Sequence, residues 1–150
     1  MATHTHLETG HIGLNVTDLE RSQSFYETAF GLRTVAASTE GDRRYAFLGD
    51  GERLLLTLWQ QSDGGFDTRR SGLHHLSFRV PEMADVERAE ARLAELGVRF
   101  HYDGIVAHAE GARSGGIFFE DPDGIRLEIF AEGAAGHAAP AGGAPACGFF

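Results

Sequence analysis

The feature of this sequence that most limits its fold is an internal repeat. His11-Ile12-Gly13-Leu14-Asn15-Val16 lies over His75-Leu76-Ser77-Phe78-Arg79-Val80, with the two histidines 64 residues apart. Both segments alternate apolar and polar residues. Each therefore predicts a half-buried strand, with Ile12, Leu14, Val16 and Leu76, Phe78, Val80 on the packed face and the histidines on the other. The repeat continues downstream of both strands. Asp18 is a plausible N-cap for a helix over Leu19 to Phe30 stopped by Gly31, and Pro81 precedes a helix over Ala84 to Leu96 stopped by Gly97. Three strand-like runs come after each helix: 32–37, 44–48 and 54–60 in the first half, 98–105, 116–120 and 125–130 in the second.

The unit is strand, helix, three strands, used twice. The expected fold class is α+β: two βαβββ modules forming a cupped, partly closed mixed sheet with helices outside. The expected organisation is a flexible N-terminus at 1–10, module one at 11–61, a polar linker at 62–73, module two at 74–132, and a disordered Gly/Ala/Pro tail at 133–150.

Composition narrows the function. A formal net charge of −9 with no Arg-rich stripe disfavours nucleic acid, and no run of about 18 apolar residues predicts a membrane span. All 13 basic residues are Arg, so Schiff-base and P-loop lysine chemistry are excluded. The single cysteine, Cys147, cannot form an internal disulfide, and no secretory signal opens the chain, so the protein is expected in the cytoplasm.

The chemistry concentrates on one predicted inner wall. Leu127 and Ile129 pack against the helices, so Arg126, Glu128 and Phe130 face the cup, on the side assigned to His11 and His75. A carboxylate on an apolar wall is costly unless paired or metal-bound. One histidine at a strand head proves little; two at equivalent places beside a glutamate predict a divalent metal held by His11, His75 and Glu128. Three such ligands leave open positions for a chelating substrate or O2, as in non-haem Fe(II) oxygenases, or for Lewis-acid chemistry. His74 points the other way by strand parity and reads as structural. Thr57, Trp59, Phe118 and Phe130 line an aromatic wall for a bulky apolar substrate, with Asn15 and Arg79 as anchors for a carboxylate or phenolate.

His11-x-x-Leu14-x-Val16-x-Asp18, Ser24-Phe25-Tyr26, Phe30-Gly31-Leu32, Gly72-Leu73-His74-His75-Leu76 and Phe118-Phe119-Glu120-Asp121-Pro122-Asp123-Gly124-Ile125-Arg126-Leu127-Glu128 resemble the vicinal oxygen chelate superfamily. That superfamily includes glyoxalase I, extradiol dioxygenases, fosfomycin resistance enzymes and metal-free bleomycin-binding proteins. The resemblance spans about residues 10–131 and implies paired βαβββ modules, metal ligation by His11, His75 and Glu128, and a homodimer. Thr57, or Leu55 in a shifted alignment, replaces the fourth ligand of the glyoxalase branch; Phe118 replaces the usual tyrosine of the three-ligand branches. No histidine lies between His11 and His74, which leaves His108 as the candidate base; Arg79, the anchor on the same wall, is the other candidate catalytic residue. The resulting expectation is a dioxygenase-like enzyme using Fe(II) or Mn(II), with Zn(II) or Ni(II) as alternatives, on an aromatic or enolic small molecule and O2. The alternatives are a Lewis-acid glyoxalase, lyase or isomerase, a fosfomycin-type transferase, or a metal-free drug-binding protein.

Overall fold

The computed structural model describes residues 5–148 and contains two compact units divided after Asp63. In the first, β1 (Ile12–Val16), α1 (Leu19–Phe30), β2 (Arg33–Ser38), β3 (Tyr45–Gly49) and β4 (Leu54–Gln60) form one module; in the second, β5 (Leu76–Arg79), α2 (Met83–Glu95), β6 (Val106–Ala107), β7 (Ser114–Glu120) and β8 (Arg126–Glu132) form the other. The α+β class and the doubled βαβββ order are as the sequence reads. The strands make two separate mixed sheets, ordered β1-β4-β3-β2 and β5-β8-β7-β6. In each, the first and last strands of the module pair in parallel and the remaining pairs are antiparallel.

The helices form where capping and periodicity agree. Asp18 Oδ1 accepts the Arg21 amide at 3.0 Å, Leu19, Ser22, Tyr26 and Ala29 make the buried stripe of α1, and Gly31 ends it at φ 67°, a left-handed geometry that suits glycine. α1 packs on β3 and β4, burying Leu48, Leu56 and Leu58 completely. α2 sets Val86, Ala89 and Leu93 against β7 and β8, and Gly97, at φ 71°, closes it.

The Asp121-Pro122-Asp123-Gly124 turn is held by one side chain. Asp121, 5% exposed, accepts the amides of Asp123 at 2.9 Å and Ile125 at 2.8 Å, which fixes the entry of β8 and hence the facing of Glu128.

Two expectations are corrected. The run 98–105 is not a strand: a single bridge joins Phe100 to Phe119, Gly104 turns the chain at φ 78°, and pairing resumes only at Val106–Ala107. Apolar residues there serve packing against β7, while the Asp103-Gly104 turn breaks the ladder. The second correction concerns residues 133–148, expected to be disordered. Ala134 and Ala146 are buried, Ala107 donates its amide to the Ala138 carbonyl at 3.1 Å, Ala146 donates to the His108 carbonyl at 2.8 Å, and Tyr102 Oη donates to the Ala146 carbonyl at 2.7 Å. Small side chains let the backbone come close enough for these bonds, and such packing leaves no hydrophobic periodicity to read. The remaining ends of the two expected mobile termini, 1–4 and 149–150, lie outside the described residues.

Candidate active site

Strand register aligns the two modules residue by residue. Gly13 faces Thr57 and Asn15 faces Trp59 across β1 and β4, while Ser77 faces Glu128 and Arg79 faces Phe130 across β5 and β8. Thr57 therefore occupies in the first sheet the place that Glu128 occupies in the second.

In the second unit that place is ionic. Glu128 is 3% exposed yet carries an imidazole on each oxygen: His75 Nε2 lies 3.6 Å from Oε2, and His108 Nε2 is hydrogen-bonded to Oε1. A carboxylate can only accept, so the proton of this bond sits on His108 Nε2. On its other side His108 Nδ1 lies 2.7 Å from Ser114 Oγ. Phe130 packs edge-on to His108 with ring centroids 5.3 Å apart. Phe118 stands 6.1 Å from the same imidazole but is only 1% exposed, covered by Tyr102, Val106, Ala146 and Cys147. It backs the site.

His75 is oriented from its other side. Its Nδ1 is 2.8 Å from His74 Nδ1, and His74 Nε2 in turn accepts from Arg126 Nη1 at 3.2 Å. Strand parity alone sent His74 away from the site; in the structure it is the neighbour that steadies the His75 ring. Burial pushes the His75 imidazole below its ordinary range, Glu128 opposes that shift, and His74 and Arg126 add to it.

Among the described residues no three His, Cys, Asp or Glu side chains stand in a ready coordinating group. The donor types at Glu128 nonetheless suit a divalent ion: a buried carboxylate, with a neutral imidazole facing one of its oxygens and a second partner on the imidazole behind it. His11, the remaining expected ligand, belongs to the first unit and is exposed immediately before β1. Arg79 is exposed beside Phe130 and forms no ion pair among the described residues.

In the first unit the corresponding face is aromatic. Trp59 Nε1 donates to Thr57 Oγ1 at 3.0 Å, and Tyr45 and Phe47 of β3 flank the indole with centroids at 5.4 and 5.7 Å. Asn15 is used structurally, its Oδ1 accepting the Gln61 amide at 3.0 Å. Of the residues singled out in the sequence, Glu128, His75 and His108 stand together in the structure; Ser114, beside them, was not among those residues. The signal was the β6–β7 hairpin: Val106 pairs with Gly116 and Ala107 with Gly115, which sets 108 opposite 114.

Known proteins resemble this chain in sequence and in structure. A catechol-2,3-dioxygenase of Bacillus subtilis (strain 168) is 30% identical over 131 residues, 86% of this chain and 43% of the relative. The chain thus spans less than half the length of that protein. A trivalent organoarsenical cleaving enzyme of Bacillus sp. (strain MD1) is 29% identical over 83% of this chain and 73% of its own. Among solved structures, the glyoxylase/bleomycin resistance protein/dioxygenase domain from Frankia sp. EAN1pec superposes with a TM-score of 0.72 at 26% identity, covering 85% of this chain and 99% of that one. Residues 9–129 match the family described as the Glyoxalase/Bleomycin resistance protein/Dioxygenase superfamily, and the chain belongs to that superfamily.

Proposed function

We propose that this protein is a metal-dependent enzyme, a dioxygenase-like oxidoreductase acting on an aromatic or enolic small molecule that offers two neighbouring oxygens. The observation that carries the reading is Glu128, a carboxylate 3% exposed with His75 facing one oxygen and His108 bonded to the other. An ionised carboxylate at that depth needs compensation, and one imidazole hydrogen bond supplies less of it than a cation would.

In this reading His75 and Glu128 ligate, with His11 as the third ligand that the repeat and the family resemblance call for. Fe(II) or Mn(II), with Zn(II) or Ni(II) as alternatives, would supply Lewis acidity toward the two substrate oxygens and, as Fe(II), redox access to O2. The chain's own residues do the rest. Burial favours neutral His75, and ligation through its Nε2 would place its proton on Nδ1, facing His74. His108 directs Nε2 at Glu128 beside the site, and the contact of its Nδ1 with Ser114 Oγ fixes the ring there. Phe130 covers His108, and Arg79 is open to an anionic substituent. The similarity to a catechol-2,3-dioxygenase supports the choice of substrate class.

The test is anaerobic Fe(II) loading followed by oxygen-electrode assays over catechols and other aromatic diols. Substrate-dependent O2 uptake that is lost in Glu128→Ala is expected; metal binding without uptake would overturn the oxidoreductase part in favour of Lewis-acid chemistry. A second reading, a metal-free binding protein for aromatic compounds, is favoured by the lack of a ready three-donor group among the described residues. Metal analysis of untagged protein separates the two.

A further inference from the structure

Arg126, His74 and His75 form a chain of contacts that ends at Glu128, and its first member decides where the ring protons lie. A guanidinium only donates, so Arg126 Nη1, 3.2 Å from His74 Nε2, is the donor and that nitrogen the acceptor. An accepting Nε2 carries no hydrogen, which leaves the one ring proton of His74 on Nδ1. That nitrogen lies 2.8 Å from His75 Nδ1, a separation that two bare lone pairs would not tolerate, so His74 donates and His75 accepts. The ring proton of His75 is then on Nε2, 3.6 Å from Glu128 Oε2.

This is the wrong tautomer for ligation. A metal takes the lone pair of Nε2, which requires the His75 proton on Nδ1. His74 must then accept at Nδ1 and carry its own proton on Nε2, where the Arg126 N–H points. The number of protons does not change: His75 gains at Nδ1 the proton that His74 gives up there, and the one leaving His75 Nε2 is matched by one arriving at His74 Nε2. What breaks is the bond from Arg126. The guanidinium has a second acceptor in its own sheet, since Arg126 is the register partner of Glu120 across β7 and β8 and the two side chains leave the sheet on one face. Glu120 Oε1 already lies 3.1 Å from His101 Nε2 and 3.9 Å from Arg99 Nη1.

We infer that Arg126 is a positioning residue that works against ligation: through His74 it holds His75 with a proton on Nε2, and it must swing from His74 toward Glu120 before that nitrogen can bind a metal. Removing the guanidinium should therefore strengthen metal binding, the opposite of what loss of a supporting residue does. The consequence for metal uptake rests on the proposed function; the proton placement rests on the hydrogen bonds alone.

The test reads the His75 ring and the metal separately. In chelator-treated protein carrying isotope-labelled histidine, nitrogen NMR gives the tautomer of each ring, with the His75 signals identified by their loss in His75→Asn. The Nε2–H form of His75 is expected in the native chain and a mixture of both tautomers in Arg126→Met. Calorimetry with Mn(II) should show affinity raised about tenfold in Arg126→Met and in His74→Phe, since one charge-assisted hydrogen bond no longer has to break. Arg126→Lys, whose ammonium also only donates, should return the affinity to the native value. Circular dichroism checks that each variant is folded. An Nδ1–H His75 in the native chain, a His75 ring unchanged in Arg126→Met, or affinity that falls or stays level in both Arg126→Met and His74→Phe would overturn the inference. Absence of Mn(II) binding in every chain would overturn the proposed metal site instead, while an Nε2–H His75 that shifts in Arg126→Met would still bear out the proton placement.

Discussion

At the scale of single residues, burial decides which polar groups matter. Asp121 makes no chemistry, yet it carries two amide bonds at 5% exposure. Asp121→Ala should cost about 2–4 kcal/mol, since both amides lose a charged acceptor, and urea unfolding would show it as a lower midpoint. His101 is the residue with a legible pH effect away from Glu128. Burial pushes its imidazole below the ordinary range, Glu120, 3.1 Å from its Nε2, opposes, and Arg99 and Arg126 reinforce the shift. A depressed folded value means the unfolded chain binds the extra proton. The stability is therefore present above an ordinary imidazole value of about 6.5 and is lost as pH falls through the lower folded value. His101→Gln should flatten the decline in stability between about pH 7.5 and 5.5, read from urea midpoints; an unchanged slope would remove His101 as its cause. Glu128 and His75 were legible in the sequence because strand parity is a short-range rule. Ser114 was not, because its place depends on a hairpin register that sequence alone did not place.

Among the elements, the helices and the paired first and last strands were readable from periodicity, capping and repeat. α1 occupies the predicted 19–30, since Asp18, the buried stripe and Gly31 all agree. The third-strand segment of the second module failed because its apolar residues mimic a strand while Gly104 turns the chain. The C-terminal segment failed for the opposite reason: alanines and backbone bonds hold it, and neither leaves a pattern. That segment fastens the strand leading to His108 and covers Phe118. Truncation after Gly133 removes the bonds from Ala107 to Ala138, from Ala146 to His108 and from Tyr102 to Ala146. A loss of about 2–4 kcal/mol is expected, seen as a lower denaturation midpoint; unchanged stability would show that the segment contributes nothing to the fold.

Across the whole molecule, the two units keep one register and have diverged in chemistry. The position opposite β1 is Thr57 within an aromatic group, and the position opposite β5 is Glu128 between imidazoles. One module thus presents rings and a hydroxyl donor, the other a carboxylate and histidines. The pairing of β1 with β4 and of β5 with β8 is what makes Thr57 and Glu128 counterparts. In the proposed function Glu128 is buried to hold a metal. Calorimetric titration of chelator-treated protein with Mn(II) tests it most directly, comparing the native chain with Glu128→Gln, which keeps the shape and removes the charge. The account predicts one site per chain in the native protein and affinity reduced by at least about a hundredfold in the variant, as loss of a ligand charge demands. Equal binding by both, or none by either, would contradict it.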